Sequence, residues 1–122
     1  MHPLPAAEPG TRTERPWGWF ETLCEQSGSK IKRIGVHPGQ QISLQRHRHR
    51  AEHWVVLRGT AHVTIGVQEL DLAVGQHVDI ATGEVHRLAN RNSEPMEIVE
   101  VQWGTYLGED DIERLQDDYG RA

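Results

Sequence analysis

The chain has 122 residues, a formal net charge of −5 with its eight histidines neutral, 36% hydrophobic residues and one cysteine, Cys24. That length supports one domain with one core, the acidic balance disfavours non-specific binding to nucleic acid or an anionic membrane, and a lone cysteine excludes an internal disulfide and fits a reducing cytoplasm. No apolar run is long enough for a membrane span or a secretion signal, and the modest apolar supply suits a small antiparallel barrel helped by a homodimer interface.

Residues 1–13, MHPLPAAEPGTRT, hold three of the six prolines and little to bury, which predicts a flexible arm ahead of a single domain over 14–122. Residues 15–23 gather Trp17, Trp19 and Phe20 around Gly18 and predict an edge strand against a barrel wall. Its aromatics read as a hydrophobic anchor, with a substrate role as the alternative. After a turn at 26–29, residues 30–37 alternate until Pro38-Gly39. If Ile34 and Val36 face inward, Lys32 does too. A lysine inside a barrel needs an anion, so Lys32 is a candidate for phosphate binding or proton transfer, unless it reaches out to the rim.

The stretch 39–59, GQQISLQRHRHRAEHWVVLRG, concentrates metal-ligand side chains at strand spacing. On a continuing strand Gln45, His47 and His49 share one face and Arg46 and Arg48 the other. Glu52 follows, then Trp54 and Val56 resume the alternation up to Arg58-Gly59, which predicts a hairpin with a polar cluster at one end. Residues 61–67 and 68–72 predict a further strand pair, in which His62 is a packing or surface histidine, as is His77. Residues 75–90 predict a strand, a glycine turn and a strand that begins with His86. One carboxylate, one amide oxygen and two imidazoles suit a divalent first-row metal with positions left open for substrate. Either Gln45 with His47 or His47 with His49 could supply the first pair.

After a turn at 90–95, residues 96–103 predict a last strand with Ile98, Glu100 and Gln102 on one face. Alternation leaves open whether Glu100 looks into the barrel or out to solvent. Residues 109–119 change period: Ile112, Leu115 and Tyr119 recur at helical spacing and acids crowd the first turn, which predicts a short amphipathic helix ended by Gly120.

These motifs resemble the cupin superfamily, a double-stranded β-helix or jelly-roll barrel. Gly39, Gln45, His47, Glu52 and Gly59 fall on the places of its first motif, with Gln45 where most cupins have a histidine; Gly75, Gly83, His86 and Asn90 fall on the second, with Ala81 in place of a proline. That register favours Gln45 with His47. Over residues 14 to 121 the chain further resembles the type II phosphomannose isomerases, the cupin domain usually found at the C-terminus of bifunctional isomerase/mannose-1-phosphate guanylyltransferases. The resemblance runs through RPWGWFETL, QRHRHRAEHWVVLRGTA, HRLAN and IVEVQWGTYLGEDDIERLQDDYGR, and includes the glutamine of Gln45. No Gly-rich nucleotide-binding loop accompanies it, so the domain is read by itself.

The resemblance implies interconversion of mannose 6-phosphate and fructose 6-phosphate through an enediol or enediolate. A single divalent ion, zinc foremost with Co, Mn, Fe or Ni as alternatives, would be held by Gln45, His47, Glu52 and His86. His49, Lys32 and Glu100 are the candidate acid/base residues. Arg50 is the first candidate for the sugar phosphate and Arg87 the second. Two other readings stay open: a metal-binding cupin that binds a sugar without turning it over, and an iron oxygenase, which Gln45 disfavours.

Overall fold

The computed structural model of the protein describes residues 11–120, so most of the expected arm lies outside the described residues, and Thr13 already pairs in a strand. The strands are β1 (Thr13–Arg15), β2 (Gly18–Gln26), β3 (Ser29–Val36), β4 (Leu44–Arg46), β5 (Arg50–Arg58), β6 (Ala61–Ile65), β7 (Gln68–Leu72), β8 (His77–Ile80), β9 (His86–Ala89), β10 (Met96–Gly104) and β11 (Glu113–Gln116). They form two antiparallel sheets, one ordered β1-β2-β3-β10-β5-β8 and the other β11-β4-β9-β6-β7.

The register of the larger sheet divides its inner face into an apolar half and a polar half. Ile34, Ile98 and Val56 form one cross-strand row on β3, β10 and β5; Lys32, Glu100 and Trp54 form the next; Lys30, Gln102 and Glu52 form the third. Because side chains alternate along each strand, all three rows point the same way. The apolar row joins Val36, Val63, Leu88 and Met96 in the core. The other two bury charge, which is costly unless each group finds a partner, and the row Lys32, Glu100 and Trp54 lines the cavity at the mouth of the barrel. Lys32 and Glu100 therefore both face inward, at 5% and 4% exposure.

The stretch 39–59 is not a hairpin. β4 belongs to the smaller sheet and β5 to the larger, so the chain crosses between sheets at residues 47–49; likewise β8 and β9 lie in different sheets. The two corners are joined by a backbone bond from Gly83 N to His47 O of 2.8 Å, and Gly83 takes a φ of +82° that favours glycine. At the far ends Gly39 N donates to Asn90 O and Asn90 N to Gln40 O, both at 2.9 Å. Strand-to-strand hairpins would have spread the polar side chains along one sheet. Corners bring them to one place.

Two further expectations are corrected. The strand containing Trp19 is not at the edge, since β1 covers its outer side. The C-terminal helix is absent: Glu113 and Arg114 pair with Arg46 and Gln45, and a bulge follows. A short helix is marginal alone, whereas β4 has an open edge whose backbone groups need partners, and Arg46 Nε donates to Glu113 Oε1 at 2.9 Å. Ile112 turns to the cavity, Tyr119 packs on the core and Leu115 is exposed, so their spacing marks no single face.

Trp19 lies flat against Gly35, where an added Cβ would come 2.2 Å from the indole. Gly35→Ala is expected to cost about 1–3 kcal/mol of stability, the usual range for overpacking, read from urea denaturation. An unchanged midpoint would mean that Trp19 can move aside freely.

Candidate metal centre

His47, Glu52 and His86 meet where the two corners converge, and one ligand atom of each lies within 4.8 Å of the others. All three are buried. The His47 Nδ1 is 2.6 Å from the carbonyl oxygen of Asp111, and the His86 Nδ1 is 2.8 Å from that of Glu84. A carbonyl oxygen can only accept, so each ring carries its proton on Nδ1 and turns the Nε2 lone pair inward. Burial pushes His47 down to about 4, with the Arg50 charge adding to it, and burial likewise lowers His86. Both rings are then neutral at pH 7, the form that binds a metal.

These lone pairs face a carboxylate. His47 Nε2 is 3.2 Å from Glu52 Oε2, and His86 Nε2 is 3.9 Å from Glu52 Oε1 with no hydrogen-bond partner of its own. Acceptors held together with no proton between them repel, and a cation shared among them removes the repulsion. Arg50 provides part of that charge, donating from Nε to Glu52 Oε2 at 2.8 Å and from Nη2 to His47 Nε2 at 3.2 Å. Two imidazoles and a carboxylate, with an orphaned buried nitrogen, fit a divalent transition metal.

A carboxylic acid that is not one of these three lies next to them. Trp54 Nε1 donates to Glu52 Oε1 at 2.9 Å and to Glu100 Oε1 at 3.1 Å, while Gln102 Nε2 donates to Glu100 Oε2 at 2.8 Å. Burial, then the negative charge of Glu52, raise Glu100 to about 7; Lys32 and Arg50 offset only part of this. Glu100 thus holds a proton it can release near neutral pH.

The other expected residues divide. Gln45 lines a cavity that His47 and Glu100 also border, is the cross-strand partner of His86, and accepts from Ser43 Oγ at 2.8 Å. Lys32 and Arg50 line it as well, with Trp17, Phe20 and Ile34. His49 does not: β4 ends at Arg46, the alternation breaks through the corner, and the His49 side chain is 53% exposed with Nδ1 3.2 Å from Asp111 Oδ1. Arg87 lies on the face of β9 opposite His86 and donates to Ile42 O at 3.0 Å and to Gln116 O at 3.2 Å. Asp111 was not among the expected residues. Besides its carbonyl on His47, its carboxylate accepts the N–H groups of Arg48 at 3.0 Å and His49 at 2.9 Å, so it holds the corner in shape. In sequence it is one acid in a run of acids, and nothing there sets it apart.

Known proteins resemble this chain in sequence and in fold. The family described as Mannose-6-phosphate isomerase C-terminal matches residues 6–117. The alginate biosynthesis protein AlgA of Pseudomonas aeruginosa is 51% identical over 108 residues, which are 88% of this chain and 22% of that protein. A mannose-1-phosphate guanylyltransferase of Klebsiella pneumoniae is 45% identical over 108 residues, 88% of this chain and 23% of the relative. The chain therefore spans less than a quarter of the length of these relatives. The cupin domain of Schizosaccharomyces pombe Cnp3 superposes with a TM-score of 0.72 at 12% identity, covering 77% of this chain and 68% of that one, which shows a shared cupin fold.

Two outcomes are expected. A divalent ion should raise the thermal midpoint of the wild type, because it binds the folded state, and should raise that of His86→Ala much less; equal gains would place the ion elsewhere. Without metal, Glu100 ionises near 4.5 in the unfolded chain but keeps its proton to about 7 when folded, so stability falls as pH rises between those values. Glu100→Gln removes that loss. In chelator its stability relative to wild type should grow by on the order of 1 kcal/mol per pH unit across this window, followed by urea denaturation, and a pH-independent difference would mean that Glu100 is already ionised.

Proposed function

The chain belongs to the mannose-6-phosphate isomerase C-terminal family, and from that membership together with the buried donor cluster we propose that it interconverts mannose 6-phosphate and fructose 6-phosphate. The observation that carries this reading is that two neutral imidazoles and the Glu52 carboxylate meet beside a cavity lined by His47, the Glu100 carboxyl group, Lys32 and Arg50. The name of one relative, a mannose-1-phosphate guanylyltransferase, points to the same class of sugar phosphate. The lone Cys24 supports a cytoplasmic setting.

In this proposal His47, Glu52 and His86, joined by the amide oxygen of Gln45, hold one divalent ion. When bound, that ion supplies Lewis-acid stabilisation of the negative charge that grows on the sugar oxygens in an enediolate. The chain's own residues do the rest. Glu100, as carboxylate, takes the proton from C2 of the open-chain aldose and returns it to C1, while the hydroxyl proton passes from O2 to O1; no atom is gained or lost. A carboxyl group serves both halves of that transfer, accepting the proton as carboxylate and returning it as acid. Trp54 and Gln102 hold its two oxygens in place. Arg50 donates toward the sugar oxygens beside the donor set, and Lys32 faces the phosphate. Trp17, Phe20 and Ile34 form the apolar wall that keeps bulk water from the intermediate.

A coupled assay for fructose 6-phosphate, run with Zn, Co, Mn or Fe supplied, tests the proposal. Turnover is expected, with kcat of Glu100→Gln lower by about 10²- to 10⁴-fold, the usual contribution of general acid/base catalysis, and mannose 6-phosphate binding retained. Binding without turnover under every metal would replace this reading with that of a sugar-binding cupin.

A further inference from the structure

Lys30 and Lys32 are neighbours on one face of β3, and both are buried, at 6% and 5% exposure. Two buried ammonium groups side by side are unfavourable without an anion. The main anion they meet is one carboxylate oxygen. Glu109 Oε2 is 2.6 Å from Lys32 Nζ and 3.4 Å from Lys30 Nζ. Lys30 also donates to the Leu107 carbonyl at 3.0 Å, nearer than Glu109, and lies 3.8 Å from Glu25; Lys32 has the face of Phe20 at 4.5 Å. Glu109 is unlike the groups it serves. Its side chain is 58% exposed, it comes from the irregular segment between β10 and β11, and it reaches into the cavity from the rim. Arg15, Arg50 and Arg114 line the same cavity, and Arg50 also acts on Glu109. A carboxylate entering from outside a ring of cations occupies the position of a ligand anion.

We propose that Lys32, which lines this cavity, forms its phosphate subsite with Lys30 beside it, and that Glu109 is a resident competitor, a carboxylate that covers the two lysines until a phosphate displaces it. The inference rests on the sugar-phosphate reading and adds to it the group that keeps the subsite closed. A phosphate monoester carries close to two charges and three acceptor oxygens near neutral pH, so it can serve both ammonium groups with separate oxygens, where Glu109 serves them with one. Exchange needs no rearrangement of the barrel, because β3 holds both lysines and only the exposed side chain of Glu109 has to withdraw. Until then the carboxylate makes the burial of Lys30 and Lys32 tolerable.

Inorganic phosphate titrated calorimetrically into the metal-loaded chain tests this without any turnover, so it is independent of the isomerase assay. Glu109→Gln should bind phosphate at least threefold more tightly than wild type, and Glu109→Asp, with a shorter reach, should shift in the same direction. Glu113→Gln removes a rim charge paired with Arg46 and should change the affinity less than twofold. In a Lys32→Gln background the gain from Glu109→Gln should vanish. Unchanged or weaker binding in Glu109→Gln, an equal gain in Glu113→Gln, or a gain that survives Lys32→Gln would each overturn the proposal. Chains that turn over mannose 6-phosphate yet show any of these results would keep the isomerase reading and lose this one.

Discussion

Two carbonyl oxygens, of Asp111 and Glu84, decide what the site can do, because each accepts a hydrogen bond from the Nδ1–H of a buried histidine and leaves its Nε2 lone pair aimed at Glu52. Without that fixing, either ring could turn or carry its proton inward, and the cluster would be an ordinary hydrogen-bonded trio. With it, three acceptors share a small volume and the demand for a cation is built into the fold. The two supports have different origins. Glu84 lies two residues from His86 in the same corner, whereas Asp111 comes from 64 residues beyond His47. The C-terminal segment is thereby part of the candidate metal centre although it contributes none of its three ligand-type residues.

The same segment also balances charge. The rows Lys32, Glu100, Trp54 and Lys30, Gln102, Glu52 put buried ammonium and carboxylate groups on the inner face of a barrel, and a small core has little stability to spare for that. Each charge is answered at short range: Lys32 by Glu109, Glu52 by Arg50 and the Trp54 indole, Glu100 by Gln102 and its own retained proton. Trp54 is the joint between the two halves of the barrel. Its ring packs in the apolar core and edge-on to His86, and its one N–H spans the two carboxyl groups. An apolar body with a polar tip is what such a boundary requires.

Strand assignments were legible because alternation and glycine placement are local. Residues 30–37, 61–72 and 96–103 form strands close to the expected bounds, and His47, Glu52 and His86 come together as their spacing suggests. The pairing of those strands was less legible. Nothing local distinguishes a hairpin from a corner that crosses between sheets, so the stretches 39–59 and 75–90 read as hairpins although they join different sheets. The placing of His49 has a related reason: a position beside His47 assumes an unbroken strand, and the corner interrupts it. The C-terminal residues carry helical spacing that the open edge of β4 overrides.

What the amino-acid sequence determined by itself was the order of the residue types that cluster: an imidazole and a carboxylate around one corner and a second imidazole at the other, since those residue types at those intervals follow from the chain alone. Only the tertiary structure decided which way Lys32 and Glu100 face, that Glu100 keeps its proton near neutral pH, and that Asp111 and Glu109 reach back to the mouth of the barrel. Orientation depends on which neighbours cover a strand, and a pKa depends on how much water those neighbours exclude. Both are set by residues far away in the chain, so neither is written in any short stretch of it.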